Sequence, residues 1–152
     1  MVSKMHFIRA LKVFFMLSGI ANMVAYIVLS RVFPPLYANP MFTFLLLYAN
    51  FIVLLYLYKE NRHVIYVLIA HSTIIAVYSA ILFAGIIGWQ DSFWNYMYQK
   101  FSLWGVLPTV LVAFPIMGLL KLEEPQCEGV ITIMALVTII LLVLYLRHAK
   151  GE

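Results

Sequence analysis

Residues 129–146 read GVITIMALVTIILLVLYL, eighteen consecutive residues without a charge. The run Leu141-Leu142-Val143-Leu144 within them does not alternate between apolar and polar side chains, as a strand of a membrane barrel would. An α-helix of this length covers most of a hydrocarbon core about 30 Å thick, because it rises ~1.5 Å per residue. A helix also satisfies its own backbone hydrogen bonds in lipid. The stretch therefore predicts a transmembrane helix.

Four more apolar stretches of similar length precede it, at residues 13–30, 41–58, 64–88 and 103–120. The whole chain is 65% apolar and 11% charged, with a mean hydropathy of +1.00, whereas soluble domains carry about 25% charged residues. We therefore expect an all-α integral membrane protein that forms a single domain over residues 1–152, with the lipid bilayer as its main partner. The basic residues lie at the ends of apolar runs and form no patch, so nucleic acid is not expected as a partner.

The helix count depends on the stretch 103–120, which contains Pro108 and Pro115. Its hydrophobicity favours a crossing, and hence a bundle of five helices. The prolines favour a bend, and hence four helices plus one re-entrant segment. Five crossings divide the Lys and Arg residues six to four between the two sides, and the re-entrant alternative divides them seven to three, in better agreement with the positive-inside rule. We expect five crossings in the cell (inner) membrane, with a cytoplasmic N-terminus in either case.

Residues 90–102 connect the third and fourth stretches and are rich in aromatic side chains, among them Trp94, Tyr98 and Phe101. Amphipathic rings prefer the headgroup level of a bilayer. The segment is thus predicted to be a short interfacial helix.

Polar side chains inside the apolar stretches are the candidate ligand-binding residues. Asn22, Asn50 and His71 all lie about 10–13 Å along their helices from one side of the membrane, so the sequence predicts one polar layer across three helices. In one interpretation, hydrogen bonds within this layer stabilise packing, at ~0.6 kcal/mol each. In the other, the layer binds a quinone headgroup, lipid headgroup or small solute. The packing interpretation is favoured. The candidate ligand-binding set is Asn22, Tyr26, Asn50, His71 and Ser72.

Small side chains recur every four residues in the third stretch, and a shorter series lies in the fourth. Such residues let transmembrane helices approach closely. We expect these positions to pack against helices of this chain or of a partner. The two series are Ser72, Ala76, Ala80, Ala84 and Gly88, and Gly105, Thr109 and Ala113.

Residues that would indicate catalysis are missing from the sequence. All Lys, Arg, Asp and Glu residues lie at or beyond the ends of the apolar stretches, and there is no HExxH, GxSxG, CxxC or Gly-rich phosphate loop. Cys127 is the single cysteine, so no intrachain disulfide can form. We predict no metal site and no cofactor.

The expected function is therefore that of a non-catalytic membrane protein acting through helix contacts, with another membrane protein or a second copy of itself. It would be an accessory subunit, an assembly factor or an immunity-type protein. The alternative is a small oligomeric transporter, channel or lipid- or quinone-binding protein that uses the polar layer.

Overall fold

The computed structural model describes residues 4–32, 40–88 and 93–149, and these residues form helices and connecting turns without strands. Four helices are long and three helical segments are short. The long helices are α1 (Lys4–Val32), α2 (Pro40–Tyr58), α3 (Arg62–Phe83) and α6 (Glu124–Ala149). The short segments are α4 (Phe93–Ser102), a π-helical turn (Thr109–Ala113) and α5 (Phe114–Leu120).

The four long helices are each long and apolar enough to cross a membrane. They contain 29, 19, 22 and 26 residues, and 19 residues already extend about 28 Å, close to the thickness of a hydrocarbon core. Four of the five predicted apolar stretches thus lie in helices of spanning length.

Contacts at the helix ends show that the long helices alternate in direction. Lys12 near the start of α1 forms a 2.7 Å salt bridge with Glu60 in the turn between α2 and α3. Arg62 at the start of α3 donates a 3.1 Å hydrogen bond to the carbonyl of Ala149 at the end of α6. The first turns of α1, the α2–α3 turn and the end of α6 therefore lie together, at what we call the basic end of the bundle. The segment from α4 to the start of α6 lies at the other end, the aromatic end.

Helices α3 and α6 form the most extensive helix pair. Ser72 and Ala76 are buried on α3, and Ala135 and Thr138 are buried on α6. These small side chains allow two backbones to approach closely, where lipid gives no hydrophobic force for association. The first half of the predicted small-residue series therefore packs inside this chain.

The second half of that series does not continue the helix, because α3 ends at Phe83 and not at residue 88. Gly85 has φ +70°. The amide of Gly85 donates to Leu82 and that of Ile86 to Ile81, which is the hydrogen-bond pattern of a Schellman C-cap. Ala80 is half-buried on α3, and Ala84 and Gly88 follow the helix and are exposed.

The stretch 103–120 is not one continuous helix, so the predicted fifth spanning helix is not confirmed. Residues 103–108 are non-helical, Gly105 has φ +72°, and only seven residues form α5. Pro108 and Pro115 lack the amide hydrogen that an α-helix uses, and the π-helical turn lies between them. The prolines thus account for the interruption.

The interfacial segment is helical over Phe93–Ser102, and its residues 90–92 lie outside the described residues. Phe93 and Trp94 are exposed, whereas Asn95, Tyr98 and Ser102 are buried. The helix therefore has one face on the bundle and one face turned away from it.

Candidate functional site

The predicted polar layer is buried in the middle of the bundle. Asn22 is fully buried on α1, Asn50 is 2% exposed on α2, and His71 is 7% exposed on α3. Each lies at least eight residues from either end of its helix, a distance of about 12 Å. All three side chains therefore lie well inside their helices.

Asn50 binds two backbone groups with its side-chain amide. Its Oδ1 accepts a 3.1 Å hydrogen bond from the amide of Gly105, and its Nδ2 donates to the carbonyl of Gly19 at 3.5 Å. Asn50 thus connects α1 and α2 to the non-helical part of stretch four.

Asn22 makes a similar pair of contacts with backbone groups that follow Gly105 in the chain. Its Nδ2 donates to the carbonyl of Leu107 at 2.6 Å, and its Oδ1 accepts from the amide of Val110 at 3.4 Å. Both backbone groups belong to the interruption around Pro108, and the carbonyl of Leu107 also accepts a hydrogen bond from the amide of Thr109 at 2.7 Å.

His71 holds the start of the same segment. Its Nε2 lies 2.6 Å from the carbonyl of Phe101, and because a carbonyl only accepts, Nε2 carries the proton. The ring also makes an edge-to-face contact with Trp104 at 4.9 Å between centroids. A Cβ added at Gly105 would lie 3.1 Å from Nδ1, so only glycine gives the segment this close an approach.

The three residues of the polar layer therefore meet through a fourth element, the backbone of residues 101–110, which we call the clamped segment. Val106 and Leu107 at its centre are buried to 1% exposure or less, and Val106 belongs to the main apolar core. Thr109 Oγ1 also bonds the carbonyl of Ser102 at 3.0 Å. Non-helical backbone is tolerated at membrane depth only when protein surrounds it and satisfies its polar groups, and the polar layer does so here.

The remaining predicted residues of the fourth stretch are buried but do not lie on one continuous helix. Gly105 lies in the non-helical part, and Thr109 and Ala113 lie in the π-helical turn. The sequence interpretation missed Gly19 on α1. A Cβ there would lie 2.5 Å from Leu54 Cδ2 and 3.3 Å from the carbonyl oxygen of Gly105. The signal was a lone glycine inside a long helical run.

Tyr26 and Ser72 do not join the clamped segment. Both are buried, and neither hydroxyl has a hydrogen-bond partner within the described part of the chain. Ser72 faces away from the clamped segment's bonds, on the α3 surface that packs against α6. Tyr26 lines a small cleft together with Asn50, Lys100 and Trp104.

A second polar cluster joins α3, α4 and α6, and the sequence interpretation missed it. Tyr98 donates a 2.5 Å hydrogen bond to Glu128, which is 3% exposed. Tyr78 donates to Asn95 at 2.6 Å, and its ring lies 4.7 Å from that of Tyr98. Burial, and then the nearby Glu128 carboxylate, raise the pKa of Tyr98, which keeps the phenol protonated as a donor.

Glu128 directly precedes the apolar stretch 129–146 and was therefore expected outside the bundle, but α6 begins at Glu124 and contains it. One signal was available. Thr132 follows four residues later, bonds the Glu128 carbonyl at 2.8 Å and contacts Ser79 at 2.8 Å. This i, i+4 pair marks a helix face turned toward α3.

Among residues 4–32, 40–88 and 93–149, no group of three or more His, Cys, Asp or Glu side chains is placed to hold a metal ion. The chain matches no protein-family model, and neither curated proteins nor solved structures yield a significant match.

Proposed function

We propose that this chain is a non-catalytic multi-pass membrane protein that acts through helix contacts, as an accessory subunit, an assembly factor or an immunity-type protein. The observation that carries the proposal is the use of the polar layer. Asn22, Asn50 and His71 bind the backbone of the chain itself. Apart from His71 Nδ1, which has no hydrogen-bond partner within the described residues, their side-chain hydrogen-bonding groups are therefore engaged in structure, and the middle of the bundle is filled by Val106 and Leu107.

The same geometry argues against the alternative, a small transporter or channel along the polar layer. A solute path would need the clamped segment to leave its place, and this would break the bonds of all three polar side chains. Each buried donor or acceptor left without a partner costs about 1–3 kcal/mol. The packed arrangement is thus strongly favoured over an open one.

We further propose four crossings with residues 103–120 as a re-entrant segment. The start of α1 and the end of α6 lie at the same end of the bundle, which an even number of crossings requires. Six of the described cations then lie at the basic end and three at the aromatic end, so the basic end is cytoplasmic by the positive-inside rule. The six are Lys4, Arg9, Lys12, Lys59, Arg62 and Arg147, and the three are Arg31, Lys100 and Lys121.

Cysteine labelling in intact cells tests this topology. In a Cys127→Ser background, a membrane-impermeant maleimide should label Lys121→Cys directly and Lys150→Cys only after permeabilisation. Five crossings give the opposite result for both positions. Lys59→Cys is the control, since it is cytoplasmic in both arrangements.

The contact surface that we propose is the outer face of α2. Only 17% of the most apolar 18 residues of this helix are buried, the lowest share among the four long helices. Phe44, Tyr48 and Phe51 follow one another on its exposed side, at 67%, 56% and 57% exposure. Tyr48 lies about 12 Å from the start of the helix, so its hydroxyl lies deep in the hydrocarbon. A hydroxyl in hydrocarbon without a hydrogen-bond partner is energetically costly, and a partner helix that accepts the hydrogen bond of Tyr48 would remove this cost.

Photocrosslinking in native membranes tests the contact function. A benzophenone amino acid replaces Tyr48 in one variant and Ile74, a 66% exposed residue of α3, in the control variant. We expect a discrete protein adduct, with a partner or a second copy, from position 48 and none from position 74. Lipid adducts alone at both positions would contradict a function through helix contacts.

A further inference from the structure

A cleft lies between α1, α2 and the start of the clamped segment, near the aromatic end. Its polar lining consists of Tyr26 of α1, Asn50 of α2, Lys100 of α4 and Trp104 of the clamped segment. Met23 and Leu46 are among its apolar walls. One side of the cleft is thus polar and the other has the character of hydrocarbon.

Two hydrogen-bond donors of this lining have no partner within the described residues. They are the hydroxyl of Tyr26, a residue 7% exposed, and the indole Nε1 of Trp104. An indole N–H can only donate, so it requires an acceptor oxygen. Buried polar groups are nearly always bonded, and two buried donors without a partner, on residues that line one cleft, are explained if acceptors come from outside the described residues.

The positive charge of Lys100 lies at the cleft and favours a negatively charged acceptor. The Lys100 ammonium lies 5.6 Å from the centroid of the Tyr26 ring and 5.4 Å from that of Phe42. These two rings belong to different helices and hold the cation by cation–π attraction. An acceptor with a negative charge therefore gains more here than a neutral one.

The cleft extends from the aromatic end of the bundle toward the polar layer. Tyr26 lies six residues before the end of α1 and Leu46 six residues after the start of α2, each about 9 Å from a helix end, and the lining reaches inward to Asn50. The enclosed space is about 10 Å³ and the open mouth brings the total to about 200 Å³. Ten cubic ångströms admit about one water-sized group, so the bulk of any ligand must stay outside, in the lipid.

We propose that this cleft binds an anionic phospholipid. A phosphate oxygen accepts hydrogen bonds from Tyr26 and Trp104 and pairs with the Lys100 ammonium. The acyl chains lie outside the enclosed space, along the apolar wall that includes Met23 and Leu46. A quinone carbonyl oxygen carries no negative charge to pair with Lys100, and a zwitterionic lipid makes less use of the cation.

Native mass spectrometry of the detergent-purified protein tests the site with two lipids of identical chains, phosphatidylglycerol and phosphatidylcholine. We expect preferential binding of phosphatidylglycerol. Lys100→Gln should weaken it about tenfold, as expected for loss of a hydrogen bond to a charged group. Tyr26→Phe removes one hydroxyl and keeps the ring, and should weaken binding about threefold to fivefold. Lys121→Gln, a change to an exposed cation beyond the cleft, should leave binding unchanged.

Three results would overturn the proposal. Equal binding of the two lipids would leave only general lipid contact. Equal effects of Lys100→Gln and Lys121→Gln would mean that surface charge, and not the cleft, attracts the lipid. Displacement by glycerol 3-phosphate would assign the cleft to a soluble phosphate. Unchanged thermal unfolding of Tyr26→Phe establishes that its loss of binding is not a loss of fold.

Discussion

Replacing Asn50 by Leu tests whether the polar layer holds the clamped segment. The two side chains have the same number of heavy atoms and the same branching at Cγ, so the change mainly removes hydrogen bonds. The amide of Gly105 loses Asn50 Oδ1, its 3.1 Å acceptor, and the carbonyl of Gly19 loses a weaker donor at 3.5 Å. Gly105 is buried, so water does not replace the lost acceptor.

The expected cost is about 1–3 kcal/mol, the penalty for a buried donor left without a partner. Cross-helix hydrogen bonds in membranes average only ~0.6 kcal/mol, because the unfolded chain finds other partners. Gly105 lies in non-helical backbone, where no carbonyl one helical turn away can replace Asn50. We therefore expect a destabilisation above that average, with a tenfold decrease in the ratio of folded to unfolded protein for each 1.4 kcal/mol.

Unfolding in mixed detergent micelles, followed by tryptophan fluorescence, gives the free energy. Ser72→Ala is the matched control. Ser72 is fully buried beside His71, yet its hydroxyl has no hydrogen-bond partner in the described residues, so its loss should change stability by less than about 0.5 kcal/mol. Equal destabilisation by the two changes, or wild-type stability of Asn50→Leu, would refute the assigned role of the polar layer.

Two further predictions concern single contacts. Gly105→Ala should destabilise the protein by more than Gly85→Ala, because both glycines have φ near +70° but only Gly105 lies against His71. We expect about 1–2 kcal/mol from the backbone alone at either position. Equal destabilisation by the two substitutions would exclude the His71 contact. The second prediction is that the protein loses stability in alkali because of Tyr98. Burial and the Glu128 carboxylate raise the pKa of Tyr98 above the ordinary value of about 10. The unfolded chain then releases the proton first, so this stability is complete below pH ~10 and falls above it by up to about 1.4 kcal/mol per pH unit. Tyr98→Phe should flatten the decline measured by thermal unfolding between pH 8 and 11, and an unchanged decline would contradict the prediction.

The four long helices were predictable because each coincides with an apolar run, and the position of Asn22, Asn50 and His71 well inside their helices followed from counting residues. Their partners were not predictable, because they are backbone groups, which every residue carries. Pro108 and Pro115 indicated where the helix would break. They did not indicate that the broken segment would lie between α1, α2 and α3.

The cluster around Glu128 was missed for another reason. Three acidic residues close together, Glu123, Glu124 and Glu128, are typical of a solvated connection. Glu128 is instead buried by Tyr98, thirty residues away in sequence. Such a pairing depends on the packing of α4 against α6, and no local pattern specifies it.

The clamped segment also imposes an order on biosynthesis. Helices α1, α2 and α3 leave the ribosome first, and at about 5–20 residues per second Val110 follows His71 only some seconds later. During that interval Asn22 and His71 have none of their native partners and Asn50 has only the carbonyl of Gly19, so the nascent helices depend on one another or on the insertion machinery. A lesion within residues 101–110 would accordingly lead quality-control proteases to degrade a chain whose first three helices are unaltered.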